Sequence, residues 1–132
     1  MSSPRRVLII EDDPDNLDLV SFLVQRAGHQ VFRATNGPDG INLARQHHPD
    51  LVLLDISMPD MTGWEVAQIL KNEPDTAGIR LVALTAYALP AHRRRAREAG
   101  IEGYITKPID IATFPNELSH FMEGSNLEGS SG

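Results

Sequence analysis

The chain has 132 residues, 41% of them hydrophobic and 23% charged, which is enough for one domain with a real core. A formal charge of −6 argues against non-specific attachment to nucleic acid or an anionic membrane. Without cysteine, disulfides and thiolate metal sites are excluded, and no apolar run approaches the ~18 residues of a membrane span. The basic opening MSSPRR leads into VLII, which is too short for a signal-peptide core and is cut off by EDD; a cytoplasmic protein is expected.

The first apolar segment, RVLII (6–10), has strand length and runs into the acidic EDDPDN. Residues 14–27 then place Leu17, Val20, Leu23, Val24 and Ala27 on one helical face, with Pro14 suited to a first turn and Gly28 to a stop. QVFRA (30–34) predicts the second strand, and 37–47, with Ile41, Leu43 and Ala44, the second helix. LVLL (51–54) predicts the third strand, followed at once by Asp55 and a segment punctuated by Pro and Gly. The third helix, 63–72, carries Trp64, Val66, Ile69 and Leu70. RLVAL (80–84) is the fourth strand, and about 90–99, stopped by Gly100, the fourth helix. GYIT (103–106) is the fifth strand, and about 110–122 the fifth helix, with Ile111, Phe114, Leu118 and Phe121. Pro115 conflicts with a start at Asp110, where it would remove a hydrogen bond, so this helix is expected to begin near Thr113 or to have a distorted first turn.

Strand and helix alternate five times, with no internal repeat and no linker. That pattern predicts an α/β domain, a parallel sheet with helices on both faces. The closing EGSNLEGSSG (123–132) is small and polar, and reads as a disordered tail or an expression remnant.

In open parallel sheets, ligands bind beyond the carboxyl ends of the strands, where strand order reverses. With order 2-1-3-4-5 that place lies between the first and third strands. The first exits into Glu11 and Asp12, the third into Asp55. Carboxylates converging there repel one another unless a cation joins them, and oxygen ligands without His or Cys suit Mg²⁺. The fourth and fifth strands end at Thr85 and Lys107. Lys71 and Lys107 are the only lysines among twelve basic residues, and a lysine at a strand tip points to a need for a compact charge. A carboxylate nucleophile, a cation cage, a hydroxyl donor and a fixed positive charge suit in-line phosphoryl transfer onto Asp55. In that chemistry Mg²⁺ and Lys107 offset charge on the equatorial oxygens while Thr85 donates to one of them.

These residues sit in four pieces, VLIIEDD, PDLVLLDISMPDMTG, VALTAYA and AGIEGYITKPI. In order and spacing the chain resembles the receiver domain of two-component response regulators over residues 5–122. The resemblance implies a flavodoxin-like, doubly wound five-stranded parallel sheet of order 2-1-3-4-5 with five helices. It implies phosphorylation of Asp55 by a sensor histidine kinase or a histidine phosphotransfer protein. Mg²⁺ would be held by Asp12, Asp55 and the main-chain carbonyl of Ser57, with Glu11 acting mainly through a bound water. Thr85 and Tyr104 would move as a switch pair, and a cis Lys107–Pro108 peptide would aim Lys107. Output would pass to a downstream protein through the face of the fourth helix, fifth strand and fifth helix. The expected protein is a signalling switch and not an enzyme, a monomer or weak homodimer that binds neither nucleic acid nor membrane.

Other readings fit less well. A phosphatase using an Asp nucleophile places a second Asp two residues on as general acid, where this chain has Ser57. A flavin carrier needs a small, hydroxyl- or glycine-rich phosphate loop after the first strand, and EDDPDN repels phosphate. A degenerate receiver would not keep Glu11, Asp12, Thr85 and Lys107 together. Asp13 and Asp15 read as capping and solvated residues, Met58 and Trp64 as packing residues. His29, His47, His48, His92 and His120 lack ligand spacing and are expected on the surface. HRRRARE (92–98) fits a solvated helix face and a docking surface for an acidic partner equally; its arginines do not alternate with the aromatics that a nucleic-acid site would use.

Overall fold

The computed structural model describes residues 5–58, 61–86 and 90–123, without the side chains of 90–93. The tail at 124–132 therefore lies outside the described residues, as does the His92 side chain. Elements alternate along the chain as β1 (Arg6–Ile10), α1 (Pro14–Arg26), β2 (Gln30–Ala34), α2 (Gly37–His47) and β3 (Leu51–Asp55). They continue with α3 (Gly63–Asn72), β4 (Arg80–Thr85), α4 (Pro90–Glu98), β5 (Gly103–Thr106) and α5 (Phe114–Met122). The strands form one sheet of order β2-β1-β3-β4-β5, every pairing parallel. This is the doubly wound, flavodoxin-like architecture.

The apolar runs behave as strands buried on both sides must. Alternate side chains leave opposite faces. Leu8, Ile10, Val52, Leu54, Leu81 and Ala83 pack under α2, α3 and α4, against residues such as Ile41, Val66 and Ala96. Their neighbours Val7, Ile9, Leu51, Leu53, Val82, Leu84 and Ile105 pack under α1 and α5, where Leu17, Val20, Phe114 and Leu118 complete the layer. Phe114 and every residue of the 51–54 run are fully buried.

Local sequence explains most helix starts. Asp13 caps α1 by accepting from the Asn16 N–H at 3.3 Å, ahead of Pro14. Asn36 caps α2 from the Asp39 N–H at 2.8 Å. Thr62 and Glu65 close a reciprocal capping box on α3. Helix α5 starts late, at Phe114, with Pro115 in its first turn where a missing N–H costs nothing. Two strands run one residue further than the apolar pattern suggests: Asp55 and Thr85 belong to β3 and β4, opposite Leu84 and Thr106 in the ladder.

The two ends of the described fold meet at the pole where the strands begin. Arg80, first in β4, donates through Nη1 to the Phe121 carbonyl of α5 at 2.6 Å. Arg5 and Glu123 line one cavity there, beside His29. His29 is half-buried rather than fully on the surface, its Nδ1 accepting from the Arg5 N–H at 3.1 Å. His47 is also half-buried, stacked on Phe32 with ring centres 4.2 Å apart. His48 and His120 are exposed, as expected.

Candidate functional site

The opposite pole, where all strands end, gathers the polar residues. Glu11 follows β1 and is fully buried; Asp55 ends β3 at 2% exposure; Thr85 ends β4 at 4%. Asp12 is exposed at the rim. One carboxylate oxygen from each of Glu11, Asp12 and Asp55 lies within 4.8 Å of the other two. Lys107, just past β5, reaches into the cluster: its Nζ stands 2.7 Å from Glu11 Oε1 and 3.4 Å from Asp55 Oδ1. The Lys107 N–H donates to the Thr85 carbonyl at 2.9 Å, and the Lys107–Pro108 peptide is cis.

The electrostatics follow from crowding. Burial, and then the neighbouring Asp55, push the Glu11 carboxyl up to about 7, against the pull of Lys107 and the Asp13 N–H. Burial and Asp55 raise Asp12 as well. Burial acts upward on Asp55 too, but hydrogen bonds from Glu11, Asp12 and the Ser57 N–H, with the Lys107 charge, outweigh it and hold Asp55 below the usual carboxylate range. Burial would lower Lys107, and the two carboxylates more than offset it, so the ammonium is held above its usual value. The cluster thus keeps an ionised Asp55 beside a fixed cation. Glu11 Oε1, although buried beside the ammonium, receives no hydrogen bond of good angle. Two buried carboxylates and a third at the rim, with a single ammonium among them, are the donor set that an oxygen-loving divalent ion fits.

The main chain contributes as well. The Ser57 N–H donates to Asp55 Oδ1 at 3.0 Å, fixing the rotation of that carboxylate together with Lys107. The Asp13 N–H donates to Glu11 Oε2 at 3.2 Å, so one residue both caps α1 and steadies the acidic pair. Gly63 brings α3 hard against the site: a Cβ there would stand 2.7 Å from the Asp55 carbonyl oxygen and 2.9 Å from Ile56 Cα. Its N–H donates to the Ile56 carbonyl at 3.1 Å. Nothing local in the sequence marks the close approach at Gly63, although the T-x-x-E capping signature around it in TGWE marks the helix start.

Thr85 and Tyr104 share a sheet face. Thr85 pairs with Thr106, and Tyr104 lies two residues back from Thr106, so both side chains leave towards the α2–α4 layer. Tyr104 is half-buried and packs against that layer. Met58 and Trp64 are buried, as packing residues should be.

The family model of the response regulator receiver domain matches residues 7–119. The chain belongs to the response regulator receiver domain family. Among the most similar relatives of this receiver domain are the polar-differentiation response regulators DivK of Brucella anthropi and Brucella ovis. The first is 36% identical over 119 residues, 90% of this chain and 97% of the relative; the second is 36% identical over 118 residues, 89% and 96%. The chemotaxis protein CheY4 of Vibrio cholerae shares the fold with a TM-score of 0.86 at 24% identity, covering 90% of this chain and 99% of that one. A receiver domain of a sensor histidine kinase from Pseudomonas aeruginosa, solved with a magnesium ion coordinated in its active-site cleft, superposes with a TM-score of 0.81 at 23% identity, covering 91% and 98%. In this receiver domain the strand ends bring together Glu11, Asp12, Asp55, Thr85 and Lys107, while Tyr104 stands back from the cluster on the neighbouring strand.

Proposed function

We propose that this receiver domain is the phosphoacceptor of a two-component phosphorelay, with Asp55 as the residue modified. The donor is the phosphohistidine of a sensor histidine kinase or a histidine phosphotransfer protein. Its P–N bond breaks as an O–P bond forms to Asp55, and the electron pair stays on the imidazole nitrogen. The observation that carries this reading is Lys107 Nζ held over the buried acidic cluster, 3.4 Å from Asp55 Oδ1.

Hydrogen bonds and the Lys107 charge keep Asp55 ionised, which leaves it an oxygen nucleophile. The donor set supports Mg²⁺ as cofactor, with Asp12, Asp55 and the Ser57 carbonyl as ligands and Glu11 acting through a bound water; the magnesium in the Pseudomonas aeruginosa neighbour points the same way. Bound there, the ion supplies positive charge to the phosphoryl oxygens. Lys107 neutralises a further oxygen, and the Thr85 hydroxyl donates to another. Drawing Thr85 inward opens space behind it on its own sheet face. Tyr104 is the side chain on that face placed to move into it, which re-shapes the surface of α4, β5 and α5 for a downstream protein. In this reading the domain is a switch and not an enzyme, it works in the cytoplasm as a monomer or weak homodimer, and it binds neither nucleic acid nor membrane. Among the described residues no helix is long and apolar enough to cross a membrane.

The test is chemical. Acetyl phosphate with Mg²⁺ is expected to add one phosphoryl group, read by intact-protein mass spectrometry, and the addition is lost in Asp55→Asn. Undiminished labelling of that variant overturns the assignment.

A further inference from the structure

The arginines of α4 share their helix with a single carboxylate, Glu98. Arg94, Arg95 and Arg97 are exposed, and among the described residues none of them forms an ion pair, whereas Arg33 pairs with Asp18 and Arg45 with Glu73. Four arginines within residues 93–97 are conspicuous in a chain whose net charge is −6. The Arg95 guanidinium lies 5.0 Å from the centre of the Trp64 ring. That cation–π contact holds the Arg95 guanidinium against α3. Arg94, Arg95 and Glu98 of α4, with Ala99 directly after it, face Trp64 and Gln68 of α3 across a groove of about 340 Å³.

We propose that the α3–α4 groove docks an acidic polypeptide segment of a partner protein. Carboxylates of such a segment fit the forks of Arg94 and Arg95 as charge-assisted, two-pronged hydrogen bonds. Gln68 and Glu98, which line the same groove, fit the backbone N–H groups that a peptide brings with its acids. A nucleic acid fits less well: the one aromatic ring lining the groove, Trp64, is buried, so no exposed aromatic face is offered for a base to stack on. The groove is also next to the chemistry. Trp64 stands in the first turn of α3, whose leading residue, Gly63, is bonded to Ile56 directly after Asp55. The contact itself needs no phosphoryl group, so it is independent of the reading of Asp55 given above.

Trp64 is the only tryptophan of the chain, so its emission reports on the groove. Unphosphorylated protein is titrated at low salt with a synthetic Glu/Leu dodecapeptide, with the same peptide carrying Gln for Glu, and with a twelve-nucleotide oligothymidylate. The Glu peptide is expected to give a saturable change in emission that weakens with added salt, and the Gln peptide none. Affinity falls by at least about tenfold in Arg94→Glu/Arg95→Glu, as for loss of close charge pairs. It is unchanged in Arg26→Glu, an exposed arginine on α1, and in Asp55→Asn. Far-ultraviolet circular dichroism confirms that each variant is folded. Absence of a saturable signal overturns the proposal, as does an equal loss in Arg26→Glu, which would mean diffuse attraction. Tighter, arginine-dependent binding of the oligonucleotide would assign the groove to nucleic acid instead.

Discussion

Replacing Gly63 by alanine tests how closely helix packing and the phosphoacceptor are joined. The added Cβ meets the Asp55 carbonyl oxygen at 2.7 Å, Ile56 Cδ1 at 2.7 Å and Ile56 Cα at 2.9 Å. Two of these three neighbours are backbone, so no change of rotamer relieves them. The first turn of α3 must retreat, or the end of β3 must move. Overpacking of this kind costs about 1–3 kcal/mol, and losing the Gly63 N–H bond to Ile56 adds about 1 kcal/mol. A total near 2–4 kcal/mol is expected by urea unfolding. The same displacement shifts Asp55 against Lys107, so the rate of acetyl phosphate labelling is expected to fall about tenfold or more. Gly78→Ala is the control, since nothing lies within 4 Å of a Cβ built there. If Gly63→Ala keeps its unfolding midpoint and its labelling rate, the close approach does not position the site.

Millimolar Mg²⁺ is expected to raise the thermal midpoint, because a cation relieves the repulsion among Glu11, Asp12 and Asp55; tenfold excess over Kd gives about 1.4 kcal/mol. Asp12→Ala is expected to be more stable than wild type without Mg²⁺ and to lose this response, and an unchanged midpoint in wild type would remove the cage. His29 is held below its usual 6.5 by burial and by Arg5, with Asp50 opposing, so the unfolded chain binds the proton more readily. Its contribution to stability is therefore intact above about pH 6.5 and declines as pH falls below it. The stability difference between wild type and His29→Gln should shrink from pH 7.5 to pH 5 in urea titrations, and a constant difference would contradict this. Lys71 donates to the carbonyls of Ala77 at 3.0 Å and Ile79 at 2.7 Å. Lys71→Met leaves both without that donor and is expected to cost about 1–3 kcal/mol in chemical unfolding, with labelling of Asp55 retained.

The fold was legible because its signals are local. A buried parallel strand announces itself by a short apolar run, and RVLII, LVLL and RLVAL all did so. The late start of α5 followed from Pro115 alone. The cluster was legible for a different reason: parallel strands share one carboxyl-terminal edge, so the residue after each run lands beside the others. Glu11, Asp55 and Lys107 needed only that rule to be brought together. What stayed hidden depends on partners distant in sequence. Lys71 appeared only as a rare lysine, and its part in tying down the 77–79 turn depends on how the chain returns from α3 to β4. His29 looked like a surface residue because nothing local shows that Arg5 lies across from it. The seating of Arg95 on Trp64 joins positions on two helices, and no periodicity reports it.

Because Arg5 and Glu123 share one cavity at the end of the sheet remote from Asp55, the fold keeps its covalent attachments and its chemistry at separate poles. A short peptide bridging those two residues would close the backbone into a ring, and a new opening in the 73–79 turn would leave all five strands whole. Arg5 and Glu123 thus both lie at the pole opposite the acidic cluster. The backbone at Arg5 and Glu123 does not cross the approach to Asp55, which is open to a second protein from the other pole.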